Sequence, residues 1–192
     1  MTEHAVNAGK SMEKSTSLQD AHNLNSLSTA VRDNIALGKK LNDVAVNMAQ
    51  NILHVQFPEV KGLHDTVMGI KKFPQEKGSF VQILHHSDHW IVVGGLENGQ
   101  VDVYDTLSSG VLSSGFVSQI NTLRGLKKGA VLNIKSCQQQ DNGVDCGVFA
   151  IANAYALCTG VPVGDLRYNA KKMREHLVMC LCGREFSPFP AP

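Results

Sequence analysis

The sequence predicts an α+β fold, in which helices pack against a central and mostly antiparallel β-sheet. Apolar residues follow a helical period before residue 57, alternate like strand residues between about 80 and 105, and then return to helical spacing. The predicted order is therefore helix, strands, helix, strand, helix, helix. With 192 residues, 43% of them hydrophobic and 18% charged, the chain is long enough to bury one core.

The first 24 residues are predicted to form a flexible tail, and residues 25–192 are predicted to form a single domain. The tail is rich in Ser, Thr, Asn and Lys and shows no apolar period. It lacks the basic and apolar regions of a secretory leader, and the chain has five cysteines, an odd number. We therefore expect free thiols and an intracellular location, in the cytoplasm or nucleus.

Charge and hydropathy argue against two classes of partner. Eighteen basic against 17 acidic residues give a net charge of +1, so no basic face for nucleic acid is indicated. Residues 146–164 carry no charge, but Gly160 and Pro162 interrupt them. The continuous apolar part is too short for a bilayer, which needs about 20 residues, so no membrane partner is expected.

Two helices are predicted before the first strand. A short one covers residues 27–37. The next begins at Asn42, which can cap it, and carries an apolar stripe that includes Met48 and Ile52. It is predicted to end at Phe57, because a residue that precedes proline avoids the helical region.

Strands alternate with helices over the remainder of the chain. The second and third strands are predicted to form a hairpin, with turn and bulge signals at Gly94-Gly95 and Asn98-Gly99. Strands are predicted at 80–84, 89–93, 101–105 and 130–134, and helices at 115–123, from Cys146 onward, and at 169–181.

Cys146 is the candidate nucleophile. It lies where a polar loop meets an almost wholly apolar helix, which is typical of a buried, central helix. A helix N-terminus carries partial positive charge and lowers the pKa of a thiol placed there. The alternative is that Cys146 is one more small buried residue, like many free cysteines. It competes with Cys137, Cys158, Cys180 and Cys182.

His89 and Asp105 form a candidate base and its orienting acid. Each lies at the end of a predicted strand, in phase with the apolar face, and a buried carboxylate there needs a partner. A two-residue turn would place His89 opposite Ser108. A longer loop, or a bulge at Gly94-Gly95, would bring it to Asp105. His89 alone is also compatible with a solvated histidine at a strand end.

Gln140 is a candidate oxyanion donor, six residues before Cys146. Acyl transfer needs donors aimed at the oxygen of the tetrahedral intermediate, and a glutamine amide with the Cys146 N–H would supply them. Gln138 and Gln139 are equally placed by composition.

Taken together, these residues resemble the ubiquitin-like proteases, the SUMO- and Nedd8-specific cysteine peptidases related to the adenovirus protease. The elements that match stand in the order His, Asp, Cys, and they are His89-Trp90, Asp105, Gln140 and Asp145-Cys146-Gly147. The resemblance implies a papain-like or adenain-like fold with a mixed, mostly antiparallel sheet. It also implies that residues 25–192 are the catalytic domain and that no cofactor or metal is needed.

The resemblance further implies the roles of individual residues and the partner. Cys146 would attack the carbonyl, with His89 as base, Asp105 orienting His89, and Gln140 binding the oxyanion. Trp90 would line the channel for the C-terminal tail of a ubiquitin-like modifier, which could be SUMO, Nedd8 or ubiquitin, free or conjugated. The family's second tunnel wall is usually a tryptophan just before a Leu-Asn-Asp motif, and here that position is Lys40.

Three other interpretations remain open from the sequence. A zinc site would use the histidines at 85, 86 and 89, or His176 with Cys180 and Cys182, but neither group offers four converging ligands. An acyltransferase of the same clan would use the same residue order with a different acceptor. A catalytically inactive relative would bind the modifier without cleaving it.

Overall fold

The computed structural model describes residues 27–108, 110–125 and 129–192. The flexible tail predicted for residues 1–24 lies outside these ranges. The helices are α1 (Thr29–Ala36), α2 (Asp43–Gln56), α3 (Met68–Lys71), α4 (Ser114–Arg124), α5 (Cys146–Cys158) and α6 (Ala170–Gly183), with a 3₁₀ helix at Val163–Asp165. The strands are β1 (Phe80–His86), β2 (His89–Gly95), β3 (Val101–Tyr104) and β4 (Leu132–Ile134).

The four described strands form one mixed sheet in the order β1-β2-β3-β4. β1 pairs with β2 and β2 with β3 in antiparallel fashion, whereas β3 and β4 are parallel. The predicted α+β class and mostly antiparallel sheet are thereby confirmed.

Local chemistry explains where α2 begins and ends. The Asn42 side chain accepts a hydrogen bond of 3.0 Å from the Ala45 N–H, which satisfies one of the unpaired donors of the first turn. The helix ends at Gln56, with Phe57 as its C-cap, and Pro58 follows. This helix was predicted with nearly these bounds.

Helix α5 is the central element, because it is buried on almost every side. Ten of its residues are buried, beginning with Cys146, and they pack against β1, β2 and α2. Such a helix needs no polar face, which explains its uncharged sequence. None of the described helices is both long enough and apolar enough to cross a membrane.

Apolar cores lie on both faces of the sheet. On one face, Ile83 and Val92 belong to the core that α1, α2, α5 and α6 form. On the other, Leu84 and Ile91 pack with residues of α4. Neighbouring strand residues thus point to opposite cores, which is why β1 and β2 are apolar without clear alternation.

Several local predictions were wrong. Gly94 and Gly95 form no bulge but pair regularly with Asp102 and Val101. β4 begins at Leu132 and not at residue 130. Neither α3 nor the 3₁₀ helix was predicted, since each is too short to show an apolar period.

Candidate active site

Cys146 is the first residue of α5, and its side chain is almost completely buried, with 2% of its surface exposed. Gly147 allows the preceding segment to approach the helix closely, since a Cβ at this position would lie 2.9 Å from the Leu41 Cβ. The thiol therefore lies at the positive end of a buried helix, where a thiolate is favoured.

The structure brings His89 and Asp105 together. The His89 Nε2–H donates a hydrogen bond of 2.7 Å to Asp105 Oδ1, which also accepts from the Leu107 N–H at 2.9 Å. Their side chains are 20% and 12% exposed, respectively. This arrangement leaves Nδ1 as the ring nitrogen available to the thiol.

The strand register does not place these two residues opposite one another. Pairing between β2 and β3 covers only Val92–Gly95 and Val101–Tyr104, and it ends before either residue. The connection is a longer loop, 96–100, which was one of the two predicted alternatives. Compared with a two-residue turn, however, this loop shifts the register by only one position. The two side chains meet because the chain leaves the sheet after Tyr104 and turns back toward His89.

The electrostatics of the pair favour a charged imidazole. The hydrogen bond to Asp105 is the largest cause and the interaction with Cys146 the second, and together they raise the pKa of His89 to about 9. Such a ring would be protonated at neutral pH, ready to stabilise a thiolate and later to protonate a leaving amine.

The Cys146 thiol responds in the opposite sense. Burial alone would raise its pKa, but the nearby His89 imidazole and the backbone N–H groups of Trp90 and Gly147 outweigh burial, so that the pKa is lowered. The side chains of Cys146 and His89 face each other without a hydrogen bond of ordinary length and angle. Catalytic hydrogen bonds are often loose without substrate and tighten when it binds.

Gln140 is held on the loop between the acid and the nucleophile. Its Oε1 accepts a hydrogen bond of 2.8 Å from the Thr106 hydroxyl, and its Nε2 donates one of 2.5 Å to the backbone carbonyl of Asn142. A primary amide has two N–H donors, so one donor of Nε2 is left for an oxyanion. The structure thus places Gln140 beside the turn that carries Asp105, with its amide orientation fixed.

The segment before Cys146 is fastened by a largely buried ion pair. Arg174 of α6 contacts Asp145 Oδ1 through Nη2 at 2.6 Å and through Nε at 2.7 Å. Its Nη1 also donates to the Ile35 carbonyl and its Nη2 to the Val144 carbonyl. Asn142 donates 2.7 Å to the second carboxylate oxygen of Asp145. The residue that precedes the nucleophile is therefore held both by Asn142, which comes before it in the chain, and by Arg174, which comes after it.

Trp90, the predicted channel residue, lines a groove of about 350 Å³ beside the site. Its indole N–H donates 3.0 Å to the Leu41 carbonyl, and its ring lies 4.3 Å from the His85 ring. The residue is only 3% exposed, so little of its surface is available to a substrate. The groove is lined by Leu41, Asn42, Asp43, Thr66, Val67, Gly69, Ile70, His85, Asp88 and Trp90.

Lys40 reaches across from the α1–α2 connection to the turn before His89. Its ammonium lies 2.8 Å from the Asp88 carboxylate and also donates to the Asp88 carbonyl. Asp88 belongs to the two-residue turn between β1 and β2, where it adopts a φ of 65°. An exposed ion pair therefore stands where the family resemblance implies an aromatic wall.

The other cysteines and histidines that the structure describes do not converge on a metal site. Burial raises the pKa of Cys137 to about 11 and that of Cys158 to about 12, as expected for inert thiols. Cys180 Sγ lies 3.4 Å from His176 Nε2, but no third ligand joins them. Within the described ranges no group of three or more His, Cys, Asp or Glu side chains could hold a metal ion.

Sequence reasoning missed the ordering role that three residues have in this site. Thr106 binds Gln140, Asn142 fastens the loop, and Gln139 donates 2.9 Å to the Asp105 carbonyl. Asp105-Thr106 and 138–142 are short polar segments next to candidate residues, and that adjacency was the available signal. The Thr106–Gln140 and Gln139–Asp105 pairs each span more than 30 residues and leave no periodic trace in the sequence.

Comparison with known proteins gives a likeness of structure but not of sequence. No protein-family model matches the sequence, and no curated protein matches it. The C-terminal Ulp1 protease domain, solved in complex with Smt3, the yeast orthologue of SUMO, superposes with a TM-score of 0.66. It shares 15% identity, over 94% of this chain and 99% of that domain.

Two further SUMO protease structures are similar. A de-sumoylating protease superposes with a TM-score of 0.59 at 13% identity, over 82% of this chain and 86% of that one. The Ulp1-like catalytic domain of Chaetomium thermophilum gives 0.53 at 17% identity, over 77% and 74% of the two chains. Likenesses at such low identity establish the fold alone, and the chain has the fold of Ulp1-like SUMO protease domains.

Proposed function

We propose that this protein is a cysteine peptidase or isopeptidase that cleaves after the C-terminal tail of a ubiquitin-like modifier. We further propose that residues 25–192 form its catalytic domain. The observation that carries the proposal is the bond of 2.7 Å between His89 and Asp105, next to a buried thiol whose pKa His89 lowers. That arrangement is the requirement for an activated sulfur nucleophile.

The proposed mechanism begins with an ion pair. Cys146, as thiolate, attacks the carbonyl carbon, and the Cys146 N–H and the Gln140 amide bind the developing oxyanion. Protonated His89 then gives its proton to the leaving amine, which departs as the thioester forms. Water, deprotonated by His89, attacks the thioester and releases the carboxylic acid and the thiol. Asp105 keeps the ring oriented and stabilises its charge throughout.

The proposed substrate class is supported by the groove that Trp90, the residue after His89, helps to line. Leu41, Val67, Ile70 and Trp90 supply its apolar lining, and the Trp90 indole N–H is hydrogen-bonded to the Leu41 carbonyl. An extended peptide tail fits such a groove better than a globular loop does. The similar Ulp1 domain is solved with a SUMO protein, which makes a ubiquitin-like modifier the first class to test.

The test is a panel of ubiquitin-like modifiers with an electrophile at the C-terminus, such as a vinyl sulfone or propargyl group. Each probe is incubated with the protein, and the intact mass is measured. We expect one modifier to add covalently to the wild type and to Cys158→Ala, a control that removes a different helix α5 cysteine. Cys146→Ala should gain no mass.

The remaining outcomes separate the alternatives. Tight modifier binding without a mass shift would indicate an inactive binding module and overturn the peptidase. A protein that takes the acyl group from a cleavable modifier substrate and passes it to an added amine or alcohol, but releases no free acid in water, would indicate an acyltransferase. Labelling at a cysteine other than Cys146 would remove the proposed nucleophile.

A further inference from the structure

We propose that Thr106 is a positioning residue that sets the orientation of the Gln140 amide and thereby links the acid and the oxyanion donor. The inference rests on the proposed function, because it assigns a role within that reaction. It concerns a residue that contacts neither the sulfur nor the imidazole.

The contacts between Thr106 and Gln140 are mutual. The Thr106 hydroxyl donates a hydrogen bond of 2.8 Å to Gln140 Oε1. In return, the backbone N–H of Gln140 donates a hydrogen bond of 2.8 Å to the Thr106 carbonyl. Thr106 is 2% exposed and Gln140 8%, so water cannot readily replace either bond. The two residues therefore hold one another by backbone and side chain at once.

Hydrogen-bond chemistry allows only one orientation of this amide. The Asn142 carbonyl can only accept, so it requires the Gln140 Nε2 group on its side. Oε1 must then face Thr106, where the hydroxyl supplies the donor that a buried carbonyl oxygen needs. If the amide rotated by half a turn, Oε1 would face the Asn142 carbonyl oxygen, and two acceptors would repel each other.

The same turn carries the acid. Thr106 follows Asp105 directly, and the Asp105 carbonyl accepts 2.9 Å from Gln139 Nε2, next to Gln140. The Ser108 backbone N–H donates a hydrogen bond of 3.0 Å to Gln139 Oε1. Residues 105–108 and 139–140 are thus one bonded unit, in which Thr106 is the only side chain among those described that bonds to the Gln140 amide.

The test is Thr106→Val, which replaces the hydroxyl with a methyl group of similar size and leaves Gln140 Oε1 buried without a donor. We expect kcat on a cleavable modifier substrate to fall at least tenfold with KM little changed, because the loss affects the transition state. Removing the donor itself costs about 10²–10³, which sets the upper limit. Thr106→Ser should recover most of kcat.

Two controls separate positioning from stability. Thr122→Val removes a hydroxyl bonded only to its own helix, at the Ser118 carbonyl, and should leave kcat unchanged. The rate at which iodoacetamide alkylates Cys146 should be the same in wild type and Thr106→Val, since that reaction needs no oxyanion donor. If Thr106→Val does not fold, Thr106→Ala and Thr106→Ser, which differ by one oxygen atom, give the same comparison.

A double-mutant cycle with Gln140→Ala decides the matter, because two residues that act through one contact are not additive. In the Gln140→Ala background, Thr106→Val should lower kcat by less than about twofold. A full additive loss, or an unchanged kcat in Thr106→Val alone, would overturn the positioning role while leaving the peptidase intact. A wild type without turnover on any modifier substrate would overturn the proposed function and this role together.

Discussion

Replacing Asp105 with asparagine should lower the pKa of His89. The pKa lies at about 9 against an ordinary 6.5, and the bond of 2.7 Å to the carboxylate is the largest cause. The asparagine side chain would keep the shape and a hydrogen-bond acceptor but lose the negative charge, so we expect a fall of at least about one unit, with the Cys146 contribution remaining. NMR titration of the His89 ring protons measures this directly.

The same change has a defined effect on stability. Because the folded-state pKa of His89 is raised, protonation of this ring stabilises the native state. The contribution is complete below about pH 6.5 and is lost once the pH exceeds about 9. The shift corresponds to at most about 3 kcal/mol. The difference in the free energy of unfolding between wild type and Asp105→Asn should therefore be larger near about pH 6 than near about pH 10. A wild-type His89 that titrates near 6.5, or one whose pKa is unaffected by Asp105→Asn, would show that the Asp105 carboxylate does not raise the pKa of the ring.

Three further changes test other parts of the site. Gln140→Ala should reduce kcat/KM on a cleavable modifier by about 10²–10³; a loss below about threefold would remove Gln140 from the mechanism. Arg174→Met leaves Asp145 buried without its partner and should lower the free energy of unfolding, measured in urea, by about 3–5 kcal/mol. A change below about 1 kcal/mol would show that the ion pair does not hold the loop in place. Lys40→Met breaks an exposed ion pair with Asp88 and should leave the urea midpoint within error of wild type, and a clear drop would contradict this.

Long apolar patterns made the main elements predictable. Helix α2 carries a cap at Asn42, a stripe through Met48 and Ile52, and a stop before Pro58, so local chemistry and packing agree along its length. Helix α5 was recognisable because a run of 13 residues without charge can only be buried. Short elements such as α3 have neither signal, since four residues make barely one turn.

The sequence suggested candidate residues for the site but not their geometry. His89, Asp105, Gln140 and Cys146 were proposed from type, spacing and family resemblance, and the structure joins His89 to Asp105 by a hydrogen bond. A bulge or a longer loop was expected to align His89 with Asp105, but the strand pair is regular and the loop 96–100 corrects the register only in part. What joins them is the direction in which the chain leaves β3, and a departure from regular structure has no period to read.

The pH dependence of Cys146 alkylation by iodoacetamide shows whether His89 activates the sulfur, since alkylation reports the thiolate and requires no knowledge of the substrate. We expect Cys146 to be alkylated at a lower pH than a free thiol, because its pKa is lowered, and to lose this reactivity in His89→Ala. If Cys146 instead reacted only at high pH, as expected of the buried Cys158, or if His89→Ala reacted like wild type, then His89 would not activate the sulfur and the proposed mechanism would be wrong.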